Sequence, residues 1–261
     1  ILPMKLHFHL IAAIVSALQE IFVDGRYADK VIERQFKQHR KWGARDRRLF
    51  AESVYDIVRW WRWTWHLADL PDPACLVPAE ITPQRVWHVW AAYWVNKGEL
   101  LPPFAELATF NPSNVASMSE AGVSPALRAS VPDWLYDLGQ TELGDNWPAV
   151  ITALNEPADV FLRANELKIT TADLKKRLAA EDIHADPISG VPSSLKLAER
   201  KSLFTSATYR GGFFEVQDAA SQRIAPFLQV EPGMRVVDAC AGAGGKSLHL
   251  AALMKNKGKI I

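Results

Sequence analysis

The sequence predicts a multidomain protein: an all-α N-terminal domain, a small α+β middle domain, and the start of a truncated α/β domain with parallel strands. Three observations predict this order. Apolar residues recur at helical spacing from about residue 5 to residue 142, short strand-like runs replace them near Gly144, and a strand, a glycine-rich loop and a helix follow residue 233. We place the domains at residues 1–143, 144–212 and 213–261.

The first domain is predicted to be entirely helical. Apolar residues keep a helical period over 10–22, 27–40, 46–67, 83–95 and 132–138. Prolines at 71–73 and 102–103 mark two of the connections between these helices.

The apolar run that opens this domain has two interpretations. Residues 4–18 resemble a weak secretory signal peptide, because a short apolar stretch ends in small residues. The spacing of Ile11, Ile14 and Leu18 instead favours a helix packed on a core, and two histidines interrupt the run. No later segment approaches the ~18 apolar residues of a membrane span. We therefore expect no membrane contact. The two unpaired cysteines make a reducing cytoplasm the expected compartment, and we expect a monomer.

The middle domain begins where the helical period stops. A strand is predicted at 160–165, and Thr170 or Thr171 caps a helix that continues to Ala179. Short strands are predicted at 183–187 and 194–197.

The third segment has the order of a β-α-β unit. We predict a helix at 219–228, a continuous apolar strand at 234–238, a second helix at 246–254 and a strand at 259–261. Such a unit buries its sheet only when further strands and helices follow it. We therefore expect the chain to be a truncated part of a longer protein.

The composition is that of a globular protein, with 261 residues of which 49% are hydrophobic and 23% charged. A disordered chain is thereby excluded. The net charge of +1 means that a nucleic-acid partner has to be argued from local patches. The two cysteines lie far apart and the seven histidines lack ligand spacing, so we predict neither a disulfide framework nor a metal site.

The loop from Asp238 to Ser247 is the segment whose pattern indicates chemistry. Glycines between a strand and a helix let backbone N–H groups approach a ligand closely. A phosphate-binding loop of the form G-x-x-x-x-G-K-[ST] would require glycine where Cys240 stands, and the third glycine of a dinucleotide fingerprint would fall at Ser247. Triphosphate binding and dinucleotide binding are therefore both disfavoured.

A family resemblance rests on the residues of this loop, which are Asp238, Cys240, Ala241, Gly244, Gly245, Lys246 and Ser247. They match the first motif of the Sun-type RNA cytosine-5 methyltransferases, the family of bacterial 16S ribosomal RNA methylases, whose pattern is Asp, any residue, Cys-Ala, a small residue, Pro-Gly-Gly-Lys, then Thr or Ser. The chain departs from this pattern at Ala243, which replaces the usual proline, while Gly242 fits the small position.

Signatures upstream extend the resemblance. Segments 131–135, 155–157, 163–165 and 214–222 occur in the family's order before the loop. The N-terminal helices are similar to the NusB-like RNA-binding domain of the ribosomal members, notably at 45–50 and 54–59.

The resemblance implies a fold, a cofactor and a substrate. The third domain would be of the Rossmann type, and the backbone from Cys240 to Lys246 would hold S-adenosylmethionine; the residues are Cys240, Ala241, Gly242, Ala243, Gly244, Gly245 and Lys246. Family members attack C6 of the cytosine with a cysteine from a later strand, and a second cysteine helps to release the product. Neither is in this chain, so no catalytic residue is assigned. Cys240 is expected to be a small buried residue that supports the loop.

The function predicted for the whole protein is S-adenosylmethionine-dependent RNA (cytosine-5)-methyltransfer, with ribosomal RNA as the partner. The chain itself is expected to be an inactive fragment of that enzyme. The alternative is a non-catalytic RNA-binding or assembly protein that keeps a cofactor-type loop.

Four further groups of residues each have two interpretations. The basic segment 26–62 could contact RNA phosphates or form a solvated helix face, and its tryptophans at 60–65 could stack on bases or, as we favour, pack in the core. Arg163 and Asn165 could face RNA or the catalytic domain, or make a salt bridge and a turn hydrogen bond. Gln217 and Asp218 could line the cofactor cleft or cap the next helix.

Overall fold

The computed structural model describes residues 6–120, 122–201 and 203–261, which form two compact units. The first unit extends to Glu156 and the second comprises Pro157–Ile261.

The first unit is helical. Its longer helices are α1 (Phe8–Phe22), α2 (Ala28–Gln38), α3 (Ala44–Arg59), α4 (Trp61–Leu67) and α5 (Pro83–Asn96), followed by α6 (Asn114–Glu120), α7 (Pro125–Arg128), α8 (Asp133–Leu143) and α9 (Trp147–Asn155). Its core is formed by fully buried side chains from several helices, among them Ile14 of α1, Ile57 of α3 and Trp90 of α5. The predicted all-helical N-terminal region is confirmed.

The structure of α1 supports the second interpretation of the N-terminal apolar run, a helix packed on a core. Ile11, Ile14 and Leu18 of α1 are completely buried, as expected for a helix packed on a core. Residues 4 and 5 of the signal-like run lie outside the described residues. Within the described ranges, no helix combines the length and hydropathy of a membrane span.

The prediction of one continuous helix over residues 46–67 is wrong. The run 46–67 forms two helices, α3 and α4, because Trp60 leaves the helical conformation at φ −102° and ψ 29°. The hydroxyl of Thr64 donates to the carbonyl of Trp60 at 2.8 Å. After this break Trp61 stacks on Phe22 with ring centroids 3.6 Å apart. The packing of the Trp61 side chain on α1 accounts for the break.

The division between the two units falls after Glu156, whereas the sequence places its first boundary after residue 143. Helix α9 packs within the first unit: its buried Trp147 lies against Gly139 of α8, where a side chain would collide with the indole ring. The Asn155 amide also donates to the carbonyl of Ala129 at 2.8 Å. The boundaries at 143 and 212 remain predictions.

The second unit contains a four-stranded antiparallel sheet. Its elements are β1 (Phe161–Ala164), α10 (Thr171–Ala179), β2 (Ala185–Pro187), β3 (Ser194–Leu197), α11 (Ala207–Arg210) and β4 (Phe214–Val216), with the strand order β2-β3-β1-β4. Leu174 and Leu178 of α10 are completely buried in one core with Leu162 of β1. Thr170 caps α10 by accepting from the Asp173 N–H. The predicted small α+β region is confirmed.

After the sheet the chain forms α12 (Ala219–Gln222), α13 (Ile224–Phe227), β5 (Arg235–Val236), α14 (Gly245–Leu253) and β6 (Lys259–Ile260). The single helix predicted at 219–228 is therefore wrong, and Pro226, which has no N–H to donate to the Gln222 carbonyl, accounts for the break. Strands β5 and β6 pair in parallel, with Arg235 opposite Lys259 and Val236 opposite Ile260. The chain thus contains the β-α-β succession that positions the glycine loop.

Candidate cofactor-binding loop

The glycine loop connects the end of β5 to the start of α14. The Ser247 hydroxyl donates to the Asp238 carboxylate at 2.7 Å, so the two ends of the loop are tied together. Within it the Gly244 N–H donates to the Ala241 carbonyl at 2.8 Å. Gly242 and Gly244 have φ values of 53° and 83°, in the left-handed region that favours glycine. The loop geometry therefore depends on two of the glycines in the motif.

The outer side of the loop is open. Cys240, Ala241, Gly242 and Ala243 are all exposed. The expectation that Cys240 is a buried supporting residue is wrong, because its side chain is exposed. Ala243, at the position of the family's proline, is exposed and adds only a methyl group.

The start of α14 presents hydrogen-bond donors. Gly244 is its N-cap residue and has no side chain to accept from the first-turn N–H groups. Lys246, in the same turn, is half-buried and makes no ion pair within the part of the chain that the structure describes. The positive end of the helix dipole and the lysine both favour a ligand that carries carboxylate or hydroxyl oxygens.

The side chain of Arg163, on β1, contacts the end of the glycine loop. Its side chain is only 2% exposed, and its Nη1 donates to the carbonyl of Gly245 at 2.8 Å and to Oε1 of Gln217 at 2.7 Å. Burial lowers the pKa of the guanidinium, against which the charges of Glu215 and Glu166 act. The predicted alternative of a salt bridge is not observed for Arg163 among the described residues. Its side chain instead contacts the segment that follows the sheet.

His249 lies in the second turn of α14 and is 3% exposed. Burial lowers the pKa of its imidazole to about 4, and the nearby charge of Arg163 acts in the same direction. The ring is therefore neutral at neutral pH. His249 was not among the predicted site residues. Its position four residues after Gly245, on the same face of the helix, is the pattern that would have placed it near the loop.

The other polar candidates of this unit have structural partners. The Asp218 carboxylate caps α12 by accepting from the N–H groups of Ala220 and Ser221 at 2.9 and 3.1 Å. Asn165 donates to the carbonyl of Gly212 at 2.9 Å and accepts from the N–H of Leu167, which is a turn role. Gln217 neither caps a helix nor is exposed, and it accepts from Arg163.

The basic segment of the first unit contains side chains with different roles. Arg62 is buried and bonds the carboxylates of Asp72 and Asp133, so it is structural and does not belong to an RNA-facing patch. Lys37 and Arg34 pair with acids on the helix surface. Three side chains in or next to the α2–α3 connection are exposed without an ion pair to any described residue: Arg40, Lys41 and Arg45.

The tryptophans of this segment mainly pack inside the first unit. Trp65 is completely buried and Trp61 is 9% exposed, which confirms core packing for these two. Trp42, in the α2–α3 connection, is half-buried and stacks on His39 with ring centroids 4.3 Å apart. Among the described residues no group of three or more metal-ligating side chains occurs.

The comparisons with known proteins agree with this geometry. Residues 131–203 match the ferredoxin-like domain of the RsmF/B-like methyltransferases. The match includes β1, α10, β2 and β3, and begins upstream of the second unit, before α8. The middle part of the chain is thus similar to a domain that methyltransferases carry.

Two curated relatives are named as ribosomal RNA methyltransferases. The chain is 30% identical over 145 residues to the probable ribosomal RNA small subunit methyltransferase B of Synechocystis sp., which covers 55% of this chain and 32% of that protein. It is 33% identical over 122 residues to ribosomal RNA small subunit methyltransferase B of Xylella fastidiosa, covering 47% of this chain and 28% of that protein. The matches span about three tenths of the length of these relatives. The predicted resemblance to the ribosomal RNA methyltransferases is confirmed.

A solved structure shows the fold over nearly the whole chain. The crystal structure of PH0851 superposes with a TM-score of 0.70 and 23% identity, covering 99% of this chain and 63% of that one. At this identity the likeness concerns the fold alone.

Proposed function

We propose that the chain is part of an S-adenosylmethionine-dependent RNA (cytosine-5)-methyltransferase that acts on ribosomal RNA. In this proposal β5, α14 and β6 are the first elements of a Rossmann-type domain, and the loop between β5 and α14 binds the cofactor. The observation that carries the proposal is the loop itself, with two left-handed glycines, exposed backbone and an uncapped helix start.

The loop residues fit the cofactor. The segment from Cys240 to Lys246 would hold its methionine and ribose portions, because N–H groups at an uncapped helix start suit carboxylate and hydroxyl oxygens. No bulky side chain stands at 240–243, so a ligand can approach the backbone closely. When bound, S-adenosylmethionine supplies a methyl group on a sulfonium.

The two cysteines of the chain are not assigned to catalysis. Cys240 lies in the cofactor loop, and Cys75 is exposed in a short 3-10 turn, Pro73–Cys75, of the helical unit. Attack on C6 of a pyrimidine ring requires a thiolate that reaches the base, whereas Cys240 is proposed to lie against the cofactor. We therefore propose that these 261 residues alone transfer no methyl group.

RNA contact is proposed for the α2–α3 connection of the helical unit. Arg40, Lys41 and Arg45 are exposed and available to phosphates, and Trp42 is held beside them by its stack on His39. The names of the curated relatives supply the class of RNA, which is that of the small ribosomal subunit.

Calorimetric titration with S-adenosylmethionine tests the cofactor proposal. We expect the wild-type chain to bind and Gly244→Ala to bind at least about tenfold more weakly, since a side chain at φ 83° strains the loop. Gly190→Ala is the matched control: it lies in the same unit at φ 78°, has open space around it, and stands in the turn before β3. Absence of binding by the wild-type chain, with RNA present as well, would sink the proposal.

Fluorescence anisotropy with 16S ribosomal RNA fragments tests the RNA proposal. Lys41→Glu should weaken binding and reduce the slope of log affinity against log salt by about one. Lys257→Glu, an equal change of charge at an exposed lysine of the second unit, should have no such effect. RNA binding together with a failure to bind S-adenosylmethionine would favour a non-catalytic RNA-binding or assembly protein.

A further inference from the structure

Arg163 occupies a position that strands normally give to an apolar residue. It lies on β1, an inner strand of the sheet, opposite Ser194 of β3 and Glu215 of β4. Its neighbours Leu162 and Ala164 belong to the core that α10 covers. Because side chains alternate along a strand, Arg163 points to the opposite face of the sheet. A buried charge therefore lies between the sheet and the segment that carries the glycine loop.

The partners of Arg163 are neutral oxygens. Its Nη1 donates to the Gly245 carbonyl and to the Gln217 side chain, and no carboxylate of the described residues forms an ion pair with it. Glu215, directly across the strand pair, acts on it only at longer range. Burying a guanidinium without such a pair is costly, so the stability of the sheet alone does not explain an arginine here.

The second partner of Arg163 is itself held in place. The Gln217 N–H donates to the carbonyl of Phe161 at 3.1 Å, which extends the pairing beyond β4. The Gln217 carbonyl accepts from the side chain of Gln222 in α12 at 2.8 Å. Because Gln217 is bonded to both the sheet and α12, it holds the Arg163 side chain in place. The other hydrogen bond of Arg163 is to the Gly245 carbonyl of the loop.

Gly245 is where the glycine loop becomes helix. It is the first residue of α14, directly after Gly244 in the left-handed region. A loop with three glycines within four residues has many accessible conformations, so a fixed carbonyl at its end selects among them. A charged donor on the Gly245 carbonyl also polarises the peptide unit to Lys246, which makes the Lys246 N–H a stronger donor.

We infer that Arg163 is a positioning residue that holds the Gly245 end of the glycine loop from the underlying sheet and thereby sets the conformation in which the loop accepts its cofactor. The cofactor part of this inference rests on the proposed function, whereas the effect on the loop itself does not.

Hydrogen exchange of the cofactor-free chain, followed by mass spectrometry, tests the positioning role. We expect Arg163→Met to speed the exchange of amides in 240–249 by about tenfold or more, and Arg163→Lys to restore part of the protection by keeping a charged donor. Arg200→Met is the matched control, since Arg200 also donates to a backbone carbonyl, that of Ala158, but is exposed at the far end of β3. It should leave 240–249 unchanged.

Titration of the same variants with S-adenosylmethionine completes the test. We expect Arg163→Met to raise the Kd about tenfold, with Arg163→Lys intermediate and Arg200→Met unchanged. Unchanged exchange of 240–249 in folded Arg163→Met, or in Arg163→Lys should the first variant not fold, would overturn the inference. Faster exchange in a chain whose wild type binds no S-adenosylmethionine would support the positioning role and reject the proposed function instead.

Discussion

Each unit of the molecule buries an arginine, and the two arginines have opposite surroundings. Arg62 of the helical unit, 8% exposed, bonds two carboxylates, those of Asp72 and Asp133. Arg163 of the second unit, 2% exposed, bonds a backbone carbonyl and an amide oxygen. The hydrogen bond with Asp72 raises the pKa of Arg62, whereas burial lowers the pKa of Arg163.

The difference separates a structural role from a positioning role. The carboxylates compensate the charge of Arg62, which ties α4 to the connection at Asp72 and to the start of α8. The charge of Arg163 has no such compensation, and its effect reaches the pKa of His249 and the glycine loop.

The largest effect is expected for Arg62→Met. Removing the guanidinium leaves Asp72 and the Val131 carbonyl without their partner, and we expect a loss of about 3 kcal/mol from the free energy of unfolding. Urea unfolding followed by tryptophan fluorescence measures it, because all ten tryptophans precede Glu156 and so report on the helical unit.

Lys37→Met is the control for Arg62→Met, since it removes an exposed pair with Glu33 in the same unit. Its cost should be about 0.5 kcal/mol or less. A similar, small cost for both variants would show that the burial of Arg62 has no energetic consequence.

The second prediction concerns His249 and pH. Its folded-state pKa is about 4, below the ordinary 6.5, so the unfolded chain binds the proton first. Stability is therefore complete above pH 6.5 and falls as the pH drops towards 4, by on the order of 2 kcal/mol. Urea unfolding of the second unit can be monitored by hydrogen exchange at pH 7 and at pH 5. The free energy of unfolding should be lower at pH 5 in the wild type, and the decrease should be much smaller in His249→Gln. Equal losses in both would place the titrating group elsewhere.

The smallest effect is expected for Arg163→Met. Two neutral acceptors lose a donor, but a costly buried charge is also removed, so we expect a net loss of about 1 kcal/mol or less. The NMR-detected pKa of His249 should at the same time move up towards 6.5, because the charge of Arg163 helps to lower it. A loss as large as that of Arg62→Met would remove the contrast between the two arginines.

In both units, an element could be predicted where a local pattern determines it. The period of Ile11, Ile14 and Leu18 was sufficient for α1, and Thr170 was sufficient for the start of α10. The break at Trp60 escaped prediction because it follows from the stacking of Trp61 on Phe22, a residue distant in sequence. The local period of apolar residues indicates which face of a helix is buried. It does not indicate which residue of a distant helix that face contacts.

In the candidate site, too, features that depend on local sequence were predicted and a feature that depends on distant residues was not. The spacing of the glycines and of Lys246 was sufficient to place the loop, because backbone conformations at positive φ constrain the residue type directly. Cys240 was expected inside and is exposed, since the burial of a loop side chain depends on what lies beside it.

The sequence by itself determined the order of helices, strands and glycine loop, and with it the resemblance to the ribosomal RNA methyltransferases. Those features depend on local chemistry: apolar period, capping residues and glycine conformation. Only the tertiary structure decided which arginine is buried between carboxylates, which one contacts the glycine loop, and which ones are exposed. The physical reason is that the role of a charged side chain depends on its burial and on its hydrogen-bond partners, and both are determined by residues far away in the sequence.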